Sequence, residues 1–374
     1  MNGYRKSICF VIPHYVTFST GGAEIQVHYL ANAFLKMGWQ VEVVCAGVGH
    51  EKEILESEYL NENIKYFYYK KRTIRSLEFW DVLKVLKKTQ SHYYYQRTDF
   101  AITAATYWYT KSNKKKMIYA LANDGDAHKN KYSLYFKDYV YTSLLKKWIR
   151  KIDFFLLDKM VEWAKKNVPL VVCQNQSQLK DYKNNFGTQG IIIPNSFELK
   201  EAIHEEKQNV ILWVGNNNPL KQPQIFVEIA KRFGMYRDWH FVMLGSAREA
   251  ISMSNLPHNM SVLGEVSYSE ANKWFSRASV FINTSSSEGM PNTFIQSWYF
   301  NVLVFSLSVN PNHIFDEINA GFCFDNDIEK MCEALVSYIE GKDAETQLIN
   351  GKQYFNQHFN LNTNVETLIN YIHS

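Results

Sequence analysis

The sequence predicts an α/β protein built from two doubly wound parallel sheets, with the boundary near residues 197–208. Three observations carry this. Short apolar runs alternate with stretches of helical periodicity along most of the chain. The alternation stops at a polar, charged segment over residues 197–208 and then begins again. Finally, 374 residues, 46% of them hydrophobic, suffice for two cores and are long for one.

Taken in order, residues 7–12 are an apolar run suited to a buried strand, followed by a loop that contains Gly21 and Gly22. Residues 24–36 place Ile25, Tyr29, Leu30, Ala33 and Phe34 at helical spacing, and Gly38 ends the helix. Residues 40–46 form the second buried strand. A strand, loop, helix, strand unit puts the Gly21-Gly22 loop at the carboxyl end of a parallel sheet, where such sheets bind ligands. The alternation continues through a strand at 64–69, a helix at 79–88, a strand at 93–96, a helix near 100–109 and a strand at 117–122. Residues 131–166 mix aromatic and aliphatic side chains with many lysines and arginines. A strand at 169–173, a helix to about Phe186 and the apolar residues 191–194 complete the first domain, residues 1–196.

The second domain, 197–359, repeats the pattern. Strands are expected at 210–214, 240–244, 261–263, 280–283 and 302–307, and helices near 224–233, at 269–277 and from Glu288 to about Phe300. A last helix, about 360–374, is expected to pack back on the first domain.

Charge separates the two halves. Up to Asn195 there are 29 basic and 17 acidic residues, and after it 12 and 20, so a modest overall +4 conceals a basic front and an acidic back. The net charge is far too mild for a general nucleic-acid coat, and no nucleic-acid partner is expected. Five widely spaced cysteines, mostly inside apolar runs, read as reduced core residues of a cytoplasmic protein. The start, Met1 to Lys6, runs into a short apolar segment without a cleavage site, so no secretion signal is expected. The uncharged stretch between Glu288 and Asp316 is broken by Pro291, Asn292, Gln296, Asn301 and Pro311, and does not read as a membrane span.

Two passages carry chemistry. In Ser287-Glu288-Gly289-Met290-Pro291-Asn292-Thr293, Pro291 suits the first turn of a helix, whose free amides and dipole make an anion site beside the Glu288 carboxylate. Such an arrangement can hold a phosphate together with a sugar hydroxyl, and an ordinary helix start has the same sequence. In Gly215-Asn216-Asn217-Asn218-Pro219-Leu220-Lys221 a strand passes to a helix, which sets Lys221 to meet an anion. A solvated lysine in a turn is the alternative.

Those passages, in this order and together with Gly21-Gly22-Ala23-Glu24, Leu244-Gly245 and Leu263-Gly264-Glu265-Val266, resemble the retaining glycosyltransferases of family 4. The resemblance implies the GT-B architecture, two Rossmann-like domains facing a cleft. It also implies a nucleotide-diphosphate sugar donor held by the second domain, and a glycan or lipid-linked acceptor held by the first. By that similarity Lys221 neutralises the diphosphate, Glu288 binds a hydroxyl of the transferred sugar, and amides from Gly289 and Met290 to Asn292 and Thr293 complete the cradle. Gly21 and Gly22 approach the phosphates, and the Gly264 to Val266 turn holds the base. No metal and no cofactor besides the nucleotide sugar are expected.

Two departures matter. Asn216 stands where the family usually has Arg, and Gln296 where it usually has a second Glu, which would bind the ribose; an amide can still hydrogen-bond there. Asn301, where a glycine is usual, is a mild change because Asn tolerates a left-handed conformation. The Asp124-Gly125-Asp126 turn follows a strand of the first domain, so Asp124 and Asp126 could reach sugar or acceptor, while Asp-Gly pairs also make plain turns. His14, near the Gly21 loop, lines the site or is a structural histidine.

The expectation is a retaining hexosyltransferase of polysaccharide or glycoconjugate assembly; the alternatives are a sugar-nucleotide epimerase of the same architecture or a catalytically silent sugar-nucleotide-binding subunit. The basic and aromatic surplus of the first domain, including Lys146, Lys147, Arg150, Lys151, Tyr139, Tyr141 and Trp148, suits peripheral contact with the inner face of a membrane. A core of aromatics under a solvated basic face is the alternative.

Overall fold

The computed structural model describes residues 6–16, 21–57, 59–136, 143–198, 205–246, 251 and 253–374. Residues 1–5, Tyr139, Tyr141 and residues 199–204 of the polar segment, all used in the sequence reading, lie outside them. The chain divides into two compact units, Met1–Ser196 with Leu361–Ser374, and Phe197–Asn360.

The first unit runs β1 (Ser7–Val11), α1 (Gly22–Lys36), β2 (Gln40–Ala46), α2 (Glu51–Leu55), β3 (Ile64–Tyr69), α3 (Glu78–Leu86) and β4 (Tyr93–Arg97). It continues with α4 (Ala101–Ser112), β5 (Lys116–Ala120), α5 (Lys131–Tyr135), α6 (Leu144–Asn167), β6 (Leu170–Cys173), α7 (Gln176–Phe186) and β7 (Ile191–Ile192). Its seven strands are all parallel, in the order β3-β2-β1-β4-β5-β6-β7. Every residue of β1 is buried, as a central parallel strand covered on both faces requires. Helix α1 ends as its sequence predicts: Gly38 takes φ +77°, its N–H bonds the Leu35 carbonyl, and the Trp39 N–H bonds that of Phe34. The Trp39 and Phe34 rings then pack edge to face at 4.9 Å, which completes a Schellman cap.

The second unit runs β8 (Val210–Val214), α8 (Pro223–Arg232), β9 (His240–Leu244), β10 (Met260–Gly264), α9 (Tyr268–Arg277), β11 (Val280–Asn283) and α10 (Asn292–Tyr299). After these come β12 (Leu303–Ser306), α11 (Ile314–Glu317), β13 (Phe322–Cys323), α12 (Ile328–Ile339) and α13 (Glu345–His358). Its parallel sheet has the order β10-β9-β8-β11-β12-β13, the same winding as the first. Ile211, Trp213, Phe226, Phe241, Met243, Ile282 and Phe305 lie in its core. The last helix, α14 (Leu361–His373), belongs to the first unit: Asn364 Nδ2 donates to Ser196 Oγ at 2.9 Å, and the Tyr371 hydroxyl accepts the Val171 N–H at 3.1 Å.

Some expectations are corrected in detail. The strand expected at 117–122 is β5, which stops at Ala120; the Leu121 N–H still bonds the Val172 carbonyl, and then the chain bends into the 3₁₀ turn Asp124–Ala127. Within the segment 131–166 the described residues include two helices, α5 and α6. Pro291 caps α10 from outside rather than opening it. Asn301 does adopt a left-handed conformation, with φ +58°. All five cysteines are free, four of them buried and Cys323 half-buried. Among the described residues no helix is long and apolar enough to cross a membrane.

Candidate active site

Each sheet reverses its winding beside its first strand, between β1 and β4 in one unit and between β8 and β11 in the other. Ligands of doubly wound sheets enter at the carboxyl ends of those strands. In the second unit these ends carry residues 215–222 and 284–291, the two passages singled out in the sequence.

Hydrogen bonds stitch the two loops together. The Trp213 indole N–H donates to Thr284 Oγ1 at 2.9 Å, and that hydroxyl donates to the Lys221 carbonyl at 2.6 Å. The Ser286 N–H donates to the Leu220 carbonyl at 2.9 Å. Lys221 closes a short 3₁₀ turn, Pro219–Lys221, capped by Asn218 Oδ1, which accepts the Leu220 N–H at 3.0 Å. In consequence Lys221 Nζ lies 2.8 Å from Glu288 Oε2, with the two side chains 21% and 19% exposed. The other carboxylate oxygen, Oε1, accepts from Asn283 Nδ2 at 3.0 Å, and Asn283 Oδ1 in turn accepts the Ser285 N–H at 3.0 Å, which sets the orientation of the amide.

This is a positioned charge pair, still partly open to solvent, at the winding reversal. An incoming anion competes with Glu288 for Lys221, while the carboxylate keeps lone pairs for a hydroxyl. Next to it, α10 starts at Asn292 with no side-chain cap at Pro291, so the positive end of its dipole lies here, while the Phe294 N–H is bonded to the Pro291 carbonyl at 3.1 Å. Met290 and Pro291 are buried and hold this start in place; Gly289, Asn292 and Thr293 are half-buried.

Three glycines make the neighbouring edge. The Gly215 N–H bonds the Leu244 carbonyl, and the Gly245 N–H bonds the Gly264 carbonyl at 2.7 Å. Gly245 has φ +106°, and a Cβ there would come within 1.9 Å of the Gly215 oxygen, so only glycine fits. Gly264, φ +78°, turns the chain toward the half-buried Val266. Asn216 is exposed.

Gln296 is not brought to this edge. It sits on the buried face of α10, only 4% exposed, and its amide nitrogen donates to Asn272 of α9 at 2.8 Å. In this structure the amide joins two helices, because the helical turn rotates position 296 inward.

In the first unit His14 and Gly21 after β1, Gly22 at the first residue of α1, and Asp124 and Asp126 in a 3₁₀ turn after β5 all fall at the carboxyl edge. His14 Nε2 lies 2.8 Å from Lys71 Nζ. Burial, followed by Lys71, Arg75 and His50, lowers its pKa to about 4, so a neutral ring accepts the lysine proton bond. Gly21 caps α1 without a side chain, and the Glu24 carboxyl folds back over this position. Burial raises the Glu24 pKa, against its own backbone N–H and Arg97. Asp124 accepts from Gln178 Nε2 at 2.9 Å.

Asp126, one of the two aspartates that could reach sugar or acceptor, has its carboxylate engaged within the first unit. It is fully buried; Oδ2 accepts the Ala122 N–H at 2.7 Å, and Oδ1 pairs with Lys131 at 2.5 Å. Asp99, paired with Lys131 and Lys165, shares the cluster; against burial, the two lysines hold Asp99 well below the usual carboxylate range. A turn that looks reactive in sequence is held by Lys131 of α5, which Asp99 shares and links to Lys165 of α6.

The sequence reading missed Asn283 and Thr284, which position Glu288 and Lys221. Their only signal was their place, at and just after the end of the β11 run.

Residues 208–341 match the family of glycosyl transferases group 1. This stretch holds Lys221, Glu288 and the glycine edge. Solved structures of low identity share the fold over nearly the whole chain. A sucrose-phosphate synthase from Thermosynechococcus elongatus has a TM-score of 0.72 at 14% identity, covering 99% of this chain and 98% of its own. HepE from Anabaena, in complex with UDP and glucose, has 0.70 at 12%, covering 98% and 99%. WaaG, a glycosyltransferase involved in lipopolysaccharide biosynthesis, has 0.69 at 14%, covering 96% and 98%. No curated protein sequence matches the chain. The fold is GT-B, as the resemblance drawn from the motifs implies, and residues 208–341 match glycosyl transferases group 1.

Proposed function

We propose that this protein is a retaining glycosyltransferase that moves a hexosyl group from a nucleotide-diphosphate sugar to a glycan or lipid-linked acceptor in polysaccharide or glycoconjugate assembly. The observation that carries the reading is the Lys221–Glu288 pair at the winding reversal of the unit that matches glycosyl transferases group 1. That HepE was solved with UDP and glucose supports a nucleotide sugar as donor.

Lys221 and the α10 amides take the diphosphate charge, without a metal ion, and Glu288, steadied by Asn283, accepts from a sugar hydroxyl. The bond from the anomeric carbon to the diphosphate oxygen breaks, the acceptor oxygen bonds that carbon on the same face, and the acceptor proton passes to the departing phosphate. The protein supplies position and charge rather than a nucleophile.

The test is calorimetric binding of UDP and GDP to wild type and Lys221→Ala, with and without chelator, followed by transfer and hydrolysis assays with labelled donors. Binding that ignores chelator and is lost in the variant supports the reading; a folded wild type that binds neither nucleotide and processes no donor rejects it.

A silent binding subunit is the second reading, favoured by exposed Asn216, which leaves the diphosphate without the usual arginine, and by buried Gln296. Restoring Asn216→Arg with Gln296→Glu separates the two: activity that appears only in the restored protein favours the silent subunit.

A further inference from the structure

Helix α6 has two apolar faces, and only one is buried. Phe154, Leu157 and Val161 pack into the first unit. On the other side Leu144, Leu145, Trp148, Ile152, Phe155 and Leu156 are between 40% and 86% exposed. They recur in steps of three and four residues, so they line one stripe along the helix. Lys146, Lys147 and Lys151 stand exposed among them, while Arg150 turns back to the Thr73 carbonyl and Asp153, and no acidic residue occurs between Leu144 and Ile152. Trp163 of the same helix, 6.1 Å ring to ring from the exposed Trp108 of α4, extends the apolar surface.

Apolar residues aligned in this way mark a surface that meets something other than water. The charges choose the occupant. A second copy docked through the same stripe would set its lysines against these lysines, whereas an anionic bilayer takes the apolar side chains among its acyl chains and the ammonium groups at its headgroups. We propose that the 144–156 face of α6 docks the protein on an anionic lipid surface and so presents a lipid-linked acceptor to the carboxyl edge of the first unit's sheet. The second part rests on the function proposed above; the docking itself does not.

The buried side of α6 ties the docking face to that edge. Asp153 accepts the Arg75 and Ser76 N–H groups at 2.9 and 2.8 Å, in the connection after β3. Asp158 accepts the Tyr132 and Ser133 N–H groups at 2.9 Å each, at the start of α5. Lys165 pairs with Asp99, just after β4, at 2.5 Å. A helix held on a bilayer by one face therefore holds these loops beside it with the other.

The test is flotation of the full chain with phosphatidylglycerol/phosphatidylcholine vesicles and with phosphatidylcholine alone, at low and high salt. The variants are Leu145→Ser with Trp148→Ser, and Lys146→Gln with Lys147→Gln, their folding checked by circular dichroism. Wild type is expected to float with the anionic vesicles, less so at high salt. The lysine variant should bind about 30-fold more weakly, from roughly fivefold per basic residue, and the apolar variant at least about tenfold more weakly. Brominated lipid should quench tryptophan emission in wild type and much less so in Trp148→Ser. Wild type that stays in the aqueous phase overturns the proposal. So does binding indifferent to all four substitutions, or a dimer in sedimentation that Leu145→Ser with Trp148→Ser dissolves. Nucleotide binding, measured on the same samples, keeps the two readings apart: docking without it upholds the lipid surface and removes the acceptor clause alone.

Discussion

Glu288 depends on a neighbour that no motif names. Asn283 holds one carboxylate oxygen and is itself fixed by the Ser285 N–H, so the carboxylate meets a ligand in one orientation. Asn283→Ala removes that donor and leaves Glu288 to Lys221 alone. Transfer is expected to fall by about 10- to 100-fold with nucleotide affinity nearly unchanged, because the proposed function rests the nucleotide on Lys221 and the amides. Steady-state kinetics beside calorimetry distinguish this; an equal loss in both would place Asn283 in nucleotide binding. His14 supplies a pH signature. Its pKa drops from 6.5 to about 4 in the fold, so between these values the unfolded chain binds more protons and stability falls as pH falls through that window. His14→Gln, which can still accept from Lys71, should flatten that part of a stability-versus-pH curve measured by urea unfolding. A slope unchanged by the substitution would mean that other groups govern it.

Among the elements, those legible in sequence are the ones whose residues are buried on both sides. β1 and β8 are unbroken apolar runs and fall where periodicity puts them. β13 is two residues long and carries no period, and α5, five residues, is set by the Asp158 carboxylate at its start, which is 26 residues away from Tyr132. The same limit applies to the site. Residue types and spacing pick out Lys221 and Glu288; that Gln296 turns to Asn272, or that Asp126 is claimed by Lys131, depends on contacts between elements, which spacing does not carry. Gly245 shows how an element end can be demanding without chemistry of its own. Alanine there must take φ +106° and meet the Gly215 oxygen, so Gly245→Ala is expected to cost about 2 kcal/mol or more and to spread the glycine edge. Thermal unfolding checks the first effect and nucleotide affinity the second; a variant as stable as wild type would show that the β9 end rearranges freely.

At the scale of the molecule, two sheets of the same strand order carry different chemistry at corresponding edges. The second unit offers a lysine, a carboxylate and a helix start without a side-chain cap, while the first offers His14 with Lys71 and a largely buried lysine–aspartate cluster. The basic front and acidic back of the chain follow this division: a basic, aromatic-studded unit suits the anionic surface proposed above, and in the more acidic unit Lys221, set at the winding reversal, is the seat that the proposed function gives to a diphosphate. Nucleotide binding should therefore act on one unit. With free nucleotide at 100 times its dissociation constant the bound unit gains about 2.7 kcal/mol, which raises its melting temperature by roughly 5–10 °C. Hydrogen exchange followed by mass spectrometry is expected to slow at residues 215–222 and 284–294, where amides face the phosphates and the two loops are stitched, and to stay unchanged along β1 and β4. Lys221→Ala should abolish the slowing at both loops together, since the Thr284 and Ser286 bonds couple them. Slowing confined to residues 6–196 would move the nucleotide to the first unit and leave the Lys221–Glu288 pair as an ion pair without a ligand.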